Sequence, residues 1–248
     1  MSSLHAGLSV DLASAVDLSA PPVAGYACWL DAGDTSKYEF ATAGVRTLYD
    51  KSGNNNDAVC STAIYRGQMA RYGGVFRGRP VLSLPGDNLS KGYAIAGISA
   101  SSRTETGFFV GMWAGSSAGA RGSLVGGSND GGRQVAIEAN GELGILRAGI
   151  AYILNGSTSI VTTGTPFVIG WKLTSTTAEV RLNGNAAETS SDSSTFTGSL
   201  STMISVKAPV VDNQPFSGLM AELIIFTSAL SSGDMTTMMS HLRTKHGI

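Results

Sequence analysis

The sequence predicts an all-β domain sealed by a short C-terminal helix, and three observations carry that prediction. Runs with a period of two recur through the chain, as in Phe108 to Trp113, Phe167 to Leu173 and Glu179 to Asn183; this is the alternation that a half-buried strand requires. Asn-Gly pairs begin at residues 140, 155 and 183, and such pairs read as tight hairpin turns because both residues tolerate left-handed backbone. Finally, the stretch from Phe216 to Ile248 joins a strand that is apolar on both faces to an amphipathic helical segment.

Taken in order, residues 1–24 form an arm that ends at Pro21-Pro22. Its apolar positions fit a strand (Leu8, Val10, Leu12) and a helix (Leu4, Leu8, Leu12, Val16) equally well, so its conformation stays open. An anchor to a partner or sister subunit is the expected role. Residues 25–248 then make one domain. Tyr26 to Leu30 opens it as a strand, Val45 to Tyr49 follows, and Asp50 to Ala58 is a turn. Asp31, Asp34, Asp50, Asn54, Asn56 and Asp57 could offer oxygen ligands to calcium, but their spacing is not that of an EF-hand loop, and self-capping turns are the expected use. Between Ser61 and Gly97, Arg66, Arg71, Arg77 and Arg79 interleave with Tyr65, Tyr72 and Phe76. That mixture suits either a stacking platform or long loops that pin themselves to the domain.

The middle of the chain is a series of strands. Ser123 to Val125 follows a Gly/Ser/Ala-rich loop, Val135, Ile137 and Ala139 mark the next strand, and Leu143 to Leu146 another. Near the end, Leu219, Ala221, Leu223 and Ile225 alternate with Met220, Glu222, Ile224 and Phe226, the pattern of a central strand covered on both sides. Ser231 and Asp234 are spaced as a capping box, Met235, Met238, Met239 and Leu242 repeat at helical spacing, and Gly247 closes the helix.

Charged residues are 14% of the 248, and the net charge is -1. A weakly charged, Gly/Ser/Thr-rich surface provides no global attraction to nucleic acid or anionic membrane. Cys28 and Cys60 lack metal-ligand spacing and read as small buried apolar residues. No apolar run is long enough to span a bilayer, and the first residues lack the basic and apolar regions of a secretory signal.

Several short patterns carry a family likeness. Trp29-Leu30-Asp31-Ala32, Asp50-Lys51-Ser52-Gly53-Asn54, Arg79-Pro80-Val81 with Gly86-Asp87, and Leu182-Asn183-Gly184 occur in order. Ala221-Glu222, Ile224-Ile225, Ala229-Leu230-Ser231, Lys245 and Gly247 complete them. Together they resemble laminin-G-like members of the concanavalin A-like lectin/glucanase superfamily. The resemblance implies a two-sheet antiparallel jelly-roll sandwich. It does not fix function, since members of that superfamily bind sugars, bind proteins, cleave glycans or build surfaces.

Laminarinase-type hydrolases of that superfamily carry Glu-x-Asp-x-Glu on one strand; here the corresponding residues are Glu138, Asn140 and Glu142. With Asn140-Gly141 as the central pair of a two-residue turn, Ala139 pairs with Glu142 and the two carboxylates diverge, so a catalytic site is not expected. His5 lies in the arm, while His241 and His246 lie in the helix, where His246 can meet the carbonyl end. The sequence has no Gly-x-Ser-x-Gly elbow, zinc-ligand cluster or phosphate loop. Trp113, Arg121, Asn129, Asp130 and Arg133 flank glycine-rich loops and could form a shallow glycan or protein contact, but ordinary turn and surface roles are the expected reading and no site is assigned to them. No catalytic, cofactor or metal residue is assigned.

The expected function is a non-enzymatic surface component of a tailed-phage virion, as a decoration, fibre or receptor-contacting protein. It would be assembled in the host cytoplasm as a homo-oligomer held to other virion proteins by its arm. Host-surface glycan is the further expected partner, implied by the resemblance alone. A stand-alone lectin module and a glycan-cleaving hydrolase are the alternatives.

Overall fold

A computed structural model describes residues 18–86, 92–99, 104–115, 121–127, 132–147, 151–193, 196, 201–205 and 213–248. The expected arm falls largely on residues 1–17, outside that set. In chain order the strands are β1 (Cys28–Asp31), β2 (Tyr38–Ala41), β3 (Gly44–Leu48), β4 (Ala58–Val59), β5 (Gln68–Ala70), β6 (Val81–Pro85), β7 (Tyr93–Ser99), β8 (Glu105–Trp113) and β9 (Arg121–Gly126). They continue as β10 (Arg133–Ile137), β11 (Glu142–Arg147), β12 (Ala151–Ile160), β13 (Pro166–Leu173), β14 (Thr177–Leu182), β15 (Glu188–Ser191), β16 (Ser201–Ile204), β17 (Asn213–Pro215) and β18 (Ser217–Phe226). One helix of 15 residues, α1 (Ser232–His246), follows.

The strands form the jelly-roll sandwich. One sheet runs β15-β14-β13-β8-β18-β6-β5, with β1 also on β18; the other runs β12-β11-β10-β9-β16-β7-β4-β3-β2, with β17 beside β9. Among the described pairings, only β17 with β9 is parallel. Side chains between the sheets, including Leu30, Phe109, Val125, Ile145, Ile169, Trp171 and Leu223, make the main core. A second core lies between the first sheet and α1, where Phe108, Val110, Ile224 and Phe226 meet Met235, Met238, Met239 and Leu242. The methionine stripe is therefore the seal over one sheet. At the helix start the Ser231 hydroxyl accepts from the Asp234 amide at 3.1 Å, and at its end Gly247 adopts the left-handed φ of +71°.

β18 is the central strand the sequence predicts, but its alternation is broken. A register shift between Met220 and Glu222 is a β-bulge, which sets two neighbouring residues on one face. Leu219, Ala221, Ile224 and Phe226 pack under α1, whereas Met220, Leu223 and Ile225 enter the inter-sheet core. Glu222 is thereby aimed at the helix.

There it completes a buried ionic network. The Trp29 indole donates to Glu222 Oε1 at 2.6 Å, Lys245 Nζ donates to the same oxygen at 2.8 Å, and His246 Nε2 lies 2.7 Å from Glu222 Oε2. Lys245 also donates to Asp31 Oδ2 at 3.0 Å, and Arg79 Nη2 reaches both Asp31 oxygens at 3.1 Å. Glu222 is fully buried and Lys245 nearly so. Burial alone would raise the Asp31 carboxyl, but the Lys245 and Arg79 cations outweigh it and hold it at about 2. Burial likewise opposes the charged form of Glu222, and the His246 hydrogen bond and Lys245 charge again win, keeping it below the usual carboxylate range. His246 is thus engaged with Glu222 rather than with the helix carbonyls.

Two further sequence readings need correction. Asn155-Gly156 is no turn: it lies within β12, where Asn155 pairs with Gly144 and Gly156 with Leu143. Strand pairing across the sheet overrides the local turn preference. Ala139 is not part of a strand but lies in the β10–β11 turn. By contrast, Asn183-Gly184 does turn, with φ of +51° and +77°, and the Asn183 side chain accepts from the Val168 amide at 2.7 Å. Cys28 and Cys60 are buried free thiols, both pushed up by burial. The Asp50 turn caps itself: Asp50 accepts from the Trp29, Ser52 and Asn56 amides at 2.8, 2.8 and 3.0 Å, and Asp57 accepts from the Asp50 amide at 2.7 Å.

The network yields a stability prediction. A carboxyl whose folded pKa is depressed contributes stability that is full above its ordinary value and lost as pH falls through the folded one. For Asp31 that window runs from 3.8 down to about 2. Resistance to urea unfolding should therefore fall as pH drops across this range, and fall less steeply in Asp31→Asn. Lys245→Met, which strands a buried carboxylate, should cost about 3–5 kcal/mol at neutral pH.

Candidate functional site

The outer face of the second sheet carries a polar groove of about 330 Å³ lined by Glu138, Ala139, Asn140, Glu142, Tyr152 and Asn155. Its position follows from strand alternation. Val135 and Ile137 of β10 and Leu143 and Ile145 of β11 face the core, so Glu138, Glu142 and Gly144 fall on the opposite side. Gly144 is the floor. A Cβ at that position would stand 3.2 Å from Glu138 Oε1 and 3.5 Å from the Tyr152 ring, so glycine keeps the groove open.

The hairpin that presents the two carboxylates differs from the sequence expectation. The Glu138 amide donates to the Glu142 carbonyl at 2.8 Å, and the Gly141 amide donates to the Glu138 carbonyl at 2.9 Å. Glu138 and Glu142 therefore face each other across a three-residue loop, Ala139 to Gly141, in which Gly141 takes the left-handed φ of +91°. Three-residue hairpins commonly end in such a glycine. One residue more in the loop reverses the prediction: the carboxylates line one groove and do not diverge.

Arg121, at the start of β9, organises one side. Its Nε lies 3.4 Å from Glu138 Oε2, its Nη2 donates to the Tyr152 hydroxyl at 2.9 Å, and its guanidinium lies 5.1 Å from the Tyr152 ring centroid. Burial and the nearby Glu138 carboxylate push the Tyr152 phenol up, against the pull of Arg121. The other oxygen, Glu138 Oε1, is buried and has no hydrogen-bond partner among the described residues. Tyr152 itself is 42% exposed. An exposed ring beside an arginine and two carboxylates can grip a small polar ligand that also has an apolar face.

Of the three described residues that flank the glycine-rich loops, only Arg121 reaches this groove. Trp113 is buried in the inter-sheet core. Arg133 is fully buried, with Nη2 bonded to Glu105 and, at 3.0 Å, to Thr202, while the Trp171 indole donates to the other Glu105 oxygen at 2.7 Å. Asn129 and Asp130 lie outside the described residues. Tyr152 and Asn155 escaped sequence reasoning because the Asn155-Gly156 pair masks the strand that carries them. The basic and aromatic stretch is partly committed to the domain itself. Arg66 bonds the Thr42 carbonyl at 2.6 Å, Arg79 is committed to Asp31 and Phe76 is buried. The loops pin themselves, as one of the two readings required.

A larger hollow of about 510 Å³ lies against α1, lined by Leu18, Pro22, Thr236, Thr237, Ser240, His241 and Thr244. It presents neither a carboxylate nor an aromatic six-membered ring, so the smaller groove is the better candidate for recognition. The described residues contain no group of three or more His, Cys, Asp or Glu side chains placed to hold a metal ion. None of their helices is long and apolar enough to cross a membrane.

No family model and no curated protein matches the sequence. Solved structures do match the fold. The Trypanosoma rangeli sialidase in complex with sialic acid aligns over 91% of this chain with a TM-score of 0.59 and 11% identity. This chain spans only 34% of that sialidase. Domain 4 of AbnA, a GH43 extracellular arabinanase from Geobacillus stearothermophilus in complex with arabinotriose, aligns over 87% of this chain and 98% of its own, with a TM-score of 0.54 and 16% identity. The Ruminococcus gnavus IT-sialidase CBM40 bound to α2,3-sialyllactose aligns over 63% and 94%, with a TM-score of 0.52 and 16% identity. At these identities the likeness establishes the shared jelly-roll, lectin-like fold, and the fold alone.

Proposed function

We propose that this protein is a non-catalytic glycan-adhesion module, with the β9–β12 groove as its binding site. The observation that carries the reading is the placement of exposed Tyr152 next to Arg121 and the Glu138 and Glu142 carboxylates, over a floor kept open by Gly144. Saccharides combine an apolar ring face with many hydroxyls, and this arrangement answers both. The solved neighbours held with arabinotriose and sialyllactose support the same ligand class. Display on a tailed-phage particle, as a homo-oligomer held by the arm of residues 1–24, is the biological setting proposed. The adhesion-type fold and the apolar positions of the arm, Leu4, Leu8, Leu12 and Val16, which suit docking on a partner, support it.

A second reading, glycan hydrolysis, is favoured by one observation: Glu138 and Glu142 line the same groove. Against it, Arg121 occupies Glu138, and Glu142 sits half-buried in a polar hairpin rather than in the apolar pocket that a general acid needs.

Three outcomes are expected. On an array of host-surface polysaccharides the native chain is retained, while Tyr152→Ala and Gly144→Val lose at least about tenfold in affinity, since each removes or fills a contact worth on the order of 1–3 kcal/mol; their thermal midpoints stay within a few degrees. No reducing ends appear from any retained polysaccharide; release that Glu138→Gln or Glu142→Gln abolishes would establish hydrolysis instead. Antibody labelling decorates purified particles, and chains that lack residues 1–17 fall apart to single copies in sedimentation velocity; an undecorated particle would end the virion reading.

A further inference from the structure

We infer that the groove selects uncharged sugars and disfavours anionic ones, an inference that rests on the glycan-adhesion reading and narrows it to a ligand class. The charge balance decides it. Glu138 and Glu142 line the groove, and the cation at its edge is Arg121. Arg121 is already spent: it pairs with Glu138, donates to the Tyr152 hydroxyl and lies over the Tyr152 ring. The three side chains together leave one uncompensated negative charge.

A sugar carboxylate or sulfate would meet that charge directly. To reach a cation it would have to pull Arg121 off Glu138, whose side chain is only 15% exposed. A mostly buried carboxylate would then lose its counter-charge, the costly way to break an ion pair. Sugar hydroxyls face no such conflict. They are donors, and the Glu138 and Glu142 carboxylates that line the groove are acceptors. A hydroxyl donated to a carboxylate makes a charge-assisted hydrogen bond, roughly twice as strong as a neutral one. Asn155 adds a further acceptor along the same wall, and the exposed part of Tyr152 meets the C–H face of the ring. Both sialic acid-binding neighbours share the sandwich, but the groove of this chain is built for hydroxyl donors.

The test uses matched pairs on the full chain. Lactose, arabinotriose and laminaritriose are titrated calorimetrically beside 3′-sialyllactose and sulfated lactose. At least one neutral probe should bind, with the anionic probes weaker by about tenfold or more. Glu142→Gln should narrow that gap, and Glu142→Arg should reverse it, with unchanged thermal midpoints because residue 142 lies at a half-exposed hairpin edge. Anionic probes that bind the native chain as tightly as neutral ones, or charge preference that ignores residue 142, would overturn this inference and leave glycan adhesion standing. Silence toward every probe, neutral and anionic, would overturn the adhesion reading itself and this inference with it.

Discussion

Five side chains from three separated stretches meet at one buried point: Trp29 and Asp31 from β1, Glu222 from the bulge of β18, and Lys245 and His246 from the last turn of α1. Each charge there is tolerable only because the others are present, since the interior penalises an ion that lacks a partner far more than it rewards a pair. The consequence is geometric specificity. Apolar packing of methionines against the sheet would let α1 slide or rotate at little cost. The Lys245 ammonium must lie between Glu222 and Asp31, and that fixes both the register of the helix and its angle. Arg79 and Lys51 extend the constraint outward, at 3.1 and 3.6 Å from Asp31, to the loop before β6 and the turn after β3.

The second buried pair works differently. Arg133 and Glu105 come from opposite sheets and meet inside the sandwich, beside the Trp171 indole. Where the first network holds a helix on the outside, this one ties the two sheets to each other. With stability concentrated at these points, the outer face of β9–β12 is free to carry a groove. Gly144 there contributes little to packing and would be a poor choice in a strand whose only task was structural.

Much of the fold was legible. The central strand, the capped helix, the methionine stripe and the self-capping Asp50 turn all follow from period, spacing and short-range hydrogen bonding, which local sequence records directly. Apart from His246, the residues of the ionic network were legible as members of a family pattern, but their convergence was not, because Asp31 and Lys245 are brought together by topology alone. Local rules failed where a single residue changes register. The bulge at Ala221 and the three-residue loop after Glu138 each insert one residue into an alternating pattern, and each redirects a carboxylate. Since the candidate groove exists only because of the second of these, the site was the least readable part of the chain. Arg133 shows the converse error: an arginine next to glycine-rich loops looks exposed, yet its partner Glu105 lies 28 residues away and draws it inside.

The pairing of Asp31 with Lys245 spans 214 residues. As a ribosome builds this chain from its N-terminus, β1 and even β18 emerge before the Lys245 cation that bridges Asp31 and Glu222 has been made. A nascent or prematurely stopped chain would hold the sandwich strands but carry Glu222 with neither Lys245 nor His246 beside it. The region around Glu222 can therefore close only after α1 has been made, because that helix brings both of these partners.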